Sequence, residues 1–156
     1  TVLEAELAAI AGIVIESRAR GTLYLRIDGV PASLLEYRYP TLEPALDDLG
    51  LGIRVASLVD LACMKLSAIS SRGAARDFWD LHEILMRTDI TLDRALDAYV
   101  KRFGVKKTDV YHVLEALTYF DDAEREPRPR GLTAKQWRIM QSYFIEHAPE
   151  ALRKRL

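Results

Sequence analysis

The chain has 156 residues, 49% of them hydrophobic and 29% charged, with 22 Lys and Arg against 23 Asp and Glu for a net charge of −1. That length suits one domain or two small ones, and the single cysteine, Cys63, excludes a disulfide framework. No signal peptide is visible and the longest apolar runs, near Leu7 to Ile15 and Leu58 to Met64, fall well short of a bilayer span, so the expectation is a compact protein of the reducing cytoplasm with no membrane partner.

In chain order, Leu3 to Ala11 reads as a helix remnant. Ile13 to Arg18, Thr22 to Ile27 and Val30 to Tyr37 read as three strands, with Asp28-Gly29 marking a tight hairpin between the last two. Glu36, the one acid on Ala32 to Tyr39, alternates in phase with Ala32 and Leu34. A surface pair with a cross-strand arginine, Arg26 or Arg18, suits Glu36 better than metal ligation. The acidic pairs Asp47-Asp48 and Asp121-Asp122 read as solvated turn residues.

From Ser57 onward the pattern is helical: Leu58 to Ser71, Arg76 to Arg87, Leu92 to Phe103, Asp109 to Phe120 and Ala134 to His147. Ser57 with Asp60 three residues later forms a variant capping box, Thr91, Thr108 and Thr133 are further N-caps, and Gly104 is a stop. Pro127 to Gly131 makes an extended connection, and Pro149 interrupts the last helix. The fold class expected is α+β, a sheet of about three strands followed by a C-terminal helical bundle, divided into residues 1–56 and 57–156.

Two adjoining helices carry the densest chemistry. Between Leu58 and Ile69 the only formal charges are Asp60 and Lys65, on a helix apolar nearly all round and therefore buried. An unpaired buried ammonium is too costly, so Lys65 snorkels, meets a carboxylate or is neutralised by an anionic ligand. Arg72 lies two turns further along the same face. On the next helix, beginning near Ala75, Asp77 falls inside the apolar stripe of Phe78, Leu81, Ile84 and Leu85, and Asp80 sits at its edge. Gly73 makes the turn that would bring these acids to Arg72 and Lys65. Two readings of the constellation compete: a structural ion-pair network, and a polyanion site in which the cations contact nucleotide phosphates while the acids orient them or handle a proton.

The spacing Lys65-x3-Ile69-x2-Arg72-x4-Asp77-x2-Asp80-Leu81 resembles the last motif of the AbiEii/AbiGii family of nucleotidyltransferase-like toxins, with Ile69 where the family has Leu. Val30-Pro-Ala-Ser-Leu-Leu-Glu-Tyr-Arg-Tyr-Pro40 is similar to the family's preceding strand, and Arg54-Val-Ala-Ser-Leu-Val-Asp60 to its lead-in to the lysine helix. Ala116-Leu-Thr-Tyr-Phe-Asp-Asp-Ala-Glu124, with Pro127, Pro129 and Trp137, resembles its tail signature. The resemblance implies a partial DNA polymerase β-like nucleotidyltransferase sheet domain over 1–56 and a helical domain over 57–156. It further implies an NTP substrate with Mg2+ in the full-length protein, an RNA or protein acceptor, and a toxin-antitoxin or phage abortive-infection role with a cognate antitoxin. By the same resemblance Lys65 and Asp80 are catalytic, Lys65, Arg72 and Asp77 bind nucleotide, and Glu36 is the one candidate for a metal.

The family's glycine turn and Asp-x-Asp strand are absent from this sequence. The chain reads as an N-terminally truncated or proteolysed piece, or a degenerate member, and is not expected to catalyse transfer alone. From a different class, the alternative is a catalytically inactive module that binds protein or nucleic acid.

Charge is uneven: residues 125–156 carry 8 Lys/Arg and 3 Asp/Glu for +5, whereas residues 1–124 carry 14 and 20 for −6. Arg125, Arg128, Arg130, Lys135, Arg138, Arg153, Lys154 and Arg155 are candidate contacts for RNA phosphates or an acidic partner, against a plain solvated helix face. His82, His112 and His147 lack ligand spacing for zinc. No Gly-x-Ser-x-Gly turn supports a hydrolase.

Overall fold

The computed structural model describes residues 2–47, 50, 52–106 and 110–155, in two compact units, Thr1–Tyr39 and Pro40–Leu156. The α+β class is as expected: three antiparallel strands, then helices.

The first unit holds helix α1 (Val2–Ala8) and the sheet β1 (Ile13–Ala19), β2 (Thr22–Ile27), β3 (Val30–Leu35), in the order β1-β2-β3. Asp28 and Gly29, at φ 49° and 82°, supply the two left-handed positions that a two-residue hairpin between Ile27 and Val30 requires. Leu25 pairs with Ile15 and Ala32 and is the strand residue shut away from water, at 1% exposure. The register slips between Ile15 and Ser17, leaving Glu16 as the extra residue of a bulge. That bulge re-aims Glu16 onto Arg26 at 2.5 Å. Arg18 in turn pairs with Glu4. Neither arginine therefore meets Glu36, which corrects the expected cross-strand pair. β3 ends at Leu35, one residue short of Glu36, whose carboxylate takes Arg38 at 2.6 Å. Helix α1 also stops earlier than its sequence pattern suggested, and Gly12 at φ 86° turns the chain into β1.

The second unit opens with the two-residue strands β4 (Leu46–Asp47) and β5 (Arg54–Val55). Among the described residues six helices follow: α2 (Leu58–Arg72), α3 (Ala75–Arg87), α4 (Leu92–Phe103), α5 (Val110–Ala116), α6 (Asp121–Arg125) and α7 (Ala134–Arg153). Ser57, Thr91 and Thr133 cap as expected, each hydroxyl accepting the backbone N–H three residues on. The expected cap Thr108, and Asp48 and Asp109, lie outside the described residues. The core centres on Phe78, whose ring meets Phe120 at 5.2 Å, Phe144 at 5.9 Å and Trp137 at 6.2 Å. Burial of each such side chain contributes about 1.5–3 kcal/mol.

Two helix expectations are corrected. The single helix expected through Phe120 ends at Ala116, where the backbone tightens into i→i+3 bonds, Thr118 N to Glu115 O at 3.0 Å and Tyr119 N to Ala116 O at 3.2 Å, with Leu117 and Phe120 still buried in the core. Asp121 and Asp122 consequently head α6 as first-turn acids, where the positive helix end favours them, rather than sitting in a turn. Pro149 does not stop α7, which continues to Arg153. Pro149 lies on the exposed side, while Ala148 and Ala151 anchor the inner face at 1% and 3% exposure. Among the described residues no helix is long and apolar enough to cross a membrane.

Candidate functional site

Helix α2 is capped by Ser57 at one end and by Gly73 at the other, where φ 58° lets the glycine N–H reach the carbonyls of Ala68 and Ile69. The chain then folds α3 back along α2. This brings all four motif residues together. Asp77 is wholly buried, and Arg72 grips it with two parallel bonds, Nε to Oδ2 at 2.8 Å and Nη2 to Oδ1 at 3.0 Å. Lys65 Nζ lies 3.1 Å from Asp77 Oδ1 and 2.5 Å from Asp80 Oδ2. Burial pushes the Asp77 carboxyl up, but the bonds from Arg72 and Lys65 outweigh it and hold the group below the ordinary carboxylate range. The same bond to Asp77 raises the Arg72 guanidinium further, with Glu126 adding to the field.

Exposure divides the four. The Lys65 side chain is 18% exposed, while Arg72 and Asp80 stand at 54% and 48%. Asp77 is the fixed partner, because a buried carboxylate left without its cations costs about 3–5 kcal/mol. Asp80 is the exchangeable one: half in water, it can hand Lys65 to another anion and be rehydrated. Arg72 Nη1 is not used by Asp77. A hollow of about 110 Å³ lies beside Arg72, lined among others by Ser71, Gly73, Tyr119 and Asp122. Larger cavities, about 510 and 460 Å³, run between α4, the α3–α4 turn and α7 and include none of the four.

A second ionic centre on α2 was not read from the sequence. Asp60, expected to close the capping box, instead accepts from Leu42 N at 2.9 Å, Glu43 N at 3.2 Å and the Ser57 hydroxyl at 3.0 Å. Arg102 of α4 forms an ion pair with it and donates to its backbone carbonyl at 3.1 Å. Both side chains are shut from water, at 0% and 2%. Burial raises Asp60, yet these bonds more than compensate and leave its carboxyl acidic. The signal was present: Leu92, Ala95, Leu96 and Tyr99 form an α4 stripe whose next member, at helical spacing, is Arg102. An arginine there needs an anion. Beside this pair Cys63 is fully buried, which pushes its thiol up to about 11 and marks it as a core side chain.

Glu36 belongs to the first unit and is held by Arg38. Among the described residues no three His, Cys, Asp or Glu side chains gather as a metal site. The oxygens of Asp77 are taken by Arg72 and Lys65. These residues do not fit a Mg2+ ion.

Comparison with known proteins matches residues 11–155 to a family described as nucleotidyl transferase AbiEii toxin, type IV TA system. The chain is also similar to an uncharacterized protein of Aquifex aeolicus (strain VF5), 37% identical over 109 residues, covering 70% of this chain and 52% of that protein. It thus spans about half the length of that curated relative. No solved structure matches.

Proposed function

We propose, from the premise that this chain belongs to the AbiEii family of nucleotidyl transferase toxins, that its α2–α3 seam is the phosphate-binding part of a nucleotidyltransferase whose full-length form moves a nucleotide from an NTP to an RNA or protein acceptor. Arg72 and Lys65 engage the triphosphate. Asp80 positions Lys65 or the acceptor hydroxyl, and Asp77 holds both cations in place. The protein at full length acts as the toxin of a type IV toxin-antitoxin or phage abortive-infection system, with an antitoxin as partner.

One observation carries this reading: the family's last motif closes into a single cluster in which one carboxylate is buried and saturated while the other is half in water. A purely structural network gains nothing from leaving Arg72 and Asp80 half exposed. An incoming phosphate, by contrast, replaces Asp80 at Lys65 as one anion for another, and finds Arg72 preset by Asp77 with donors to spare. The glycine turn and Asp-x-Asp strand needed for the transfer itself are not in this sequence, so these residues supply binding and orientation.

The test is labelled-nucleotide transfer by the full-length protein. Lys65→Ala and Arg72→Gln should each lower transfer by about 10²–10³-fold, the scale for one lost electrostatic donor. If the protein binds no NTP and Lys65→Ala changes only its melting temperature, the inactive interaction module is the correct reading. That alternative draws on the charge balance of the cluster, in which Lys65 and Arg72 are neutralised by Asp77 and Asp80.

A further inference from the structure

The α2–α3 seam holds one more cation than its ion pairs use. Arg76 stands next to Asp77 in the first turn of α3 and is exposed, and its side chain joins no ion pair or hydrogen bond among the described residues. Acids in and around the seam are directed elsewhere: Asp77 to Arg72 and Lys65, Asp80 to Lys65, Asp122 to Arg125, while Glu126 acts on the charge of Arg72. The positive end of a helix disfavours a cation, and Ala74 offers no side-chain cap there. Folding does not account for Arg76.

Helical spacing fixes its place. At about 100° per residue, Asp80 projects between Arg76 and Asp77, about 40° round the helix from Arg76. Residues four apart are neighbours, with about 5–6 Å between their Cβ atoms. Lys65 touches both Asp77 and Asp80, so the row from the buried side outward runs Asp77, Asp80, Arg76. Asp80 therefore has Lys65 on its inner side and Arg76 on its outer side. An anion that displaces it from Lys65 comes between these two cations, with Arg72 Nη1 unused by Asp77 at the same end of the seam.

Resting on the proposed transferase reading, we infer that Arg76 is a third phosphate-binding residue of the seam, gripping the polyphosphate tail of the NTP alongside Lys65 and Arg72. Three cations against two carboxylates leave the motif a net +1. The charge balance behind the inactive-module reading counts only Lys65 and Arg72. A cation one helical turn beyond Asp80 suits a chain of phosphates rather than a single one, and a guanidinium matches phosphate oxygens with paired donors.

The test is competition for a labelled NTP, each common base in turn, bound to the full-length protein, with inorganic tripolyphosphate as a competitor that carries the phosphates without base or sugar. Arg76→Gln should weaken NTP and tripolyphosphate alike by about 10- to 100-fold, the range for one hydrogen bond to a charged group. In transfer assays it should raise KM for NTP while kcat at saturating NTP holds, and Arg76→Lys should recover part of the loss. The melting temperature should stay at the parent value or rise, because a cation leaves the positive helix end; a structural Arg76 would lower it. Unchanged NTP affinity in Arg76→Gln, beside a loss in Lys65→Ala, would overturn the inference, making Arg76 a plain solvated side chain and leaving the transferase reading intact. Weakened NTP with unchanged tripolyphosphate would overturn it too, placing Arg76 against base or sugar. A parent protein that binds neither NTP nor tripolyphosphate would overturn both.

Discussion

Helix α2 carries an ionic centre near each end, and the two are built to opposite specifications. At the N-terminal end Asp60 and Arg102 are both shut from water, and the carboxylate is saturated by two backbone amides, a hydroxyl and a guanidinium. At the other end one buried carboxylate, Asp77, serves two cations, while Arg72 and Asp80 remain about half in water. The first centre ties α2, α4 and the 42–43 backbone together, and its carboxylate is fully occupied. The second has an immobile half and a replaceable half. Burial alone does not separate a structural ion pair from a site; what does is whether a partner can leave without stranding a charge.

The largest effect should come from breaking the closed centre. Arg102→Ala leaves Asp60 as a buried carboxylate without its cation, and should destabilise the helical unit by about 3–5 kcal/mol, read as the shift in its urea unfolding midpoint. Arg102→Met, which keeps the hydrocarbon stem, should cost almost as much, whereas pairing it with Asp60→Asn should recover a substantial part. Asp77→Asn comes next, at about 1–3 kcal/mol, because Lys65 keeps Asp80 and the Arg72 guanidinium is half hydrated already. If the two substitutions proved equal, the distinction between a closed and an open centre would fail.

Acid should expose the same contrast more gently. Asp60 and Asp77 both have folded-state pKa values below the usual 3.8. A carboxyl depressed on folding contributes stability above its unfolded pKa and loses it as pH falls through the folded one. Stability should therefore be level from about pH 8 to 5 and decline below about pH 4. Asp77→Asn should make that decline shallower, since one proton fewer is taken up on unfolding. A midpoint already falling between pH 7 and 5 would mean that neither carboxylate drives the transition.

How far the sequence showed all this depends on which physical signal each residue leaves. Lys65, Arg72, Asp77 and Asp80 were legible because charges on an apolar helical surface stand out and a glycine turn fixes which faces meet; geometry then placed the four together. The hairpin at Asp28-Gly29 was legible because its backbone demands those residues. Asp60 was misread because its spacing to Ser57 satisfied a local rule, while its actual partners, Leu42, Glu43 and Arg102, come from distant segments that no local rule reaches. The partner of Glu36 was misread because the β2–β3 hairpin register sets Arg26 opposite Pro31 and carries Glu36 past the end of β2, opposite Gly21, so that its carboxylate is left to Arg38. Pro149 was taken as a stop on propensity, which a long helix anchored on its inner face overrides.

The smallest expected change in stability carries the sharpest functional contrast. Asp80→Asn removes an ion pair whose carboxylate is 48% exposed, so solvent has already screened most of its contribution. The expected loss is about 0–1 kcal/mol, the range for surface pairs. Lys65 keeps Asp77 at 3.1 Å, and the shape of the side chain is preserved. If Asp80 serves only the fold, transfer by the full-length protein should be unchanged along with the melting temperature. If Asp80 positions Lys65 or the acceptor hydroxyl, transfer should fall by about 10²-fold or more while the unfolding midpoint barely moves. Loss of stability and activity together would point to a network member. A collapse of activity in a protein that melts like the parent would show that the open half of the cluster is kept open for a ligand.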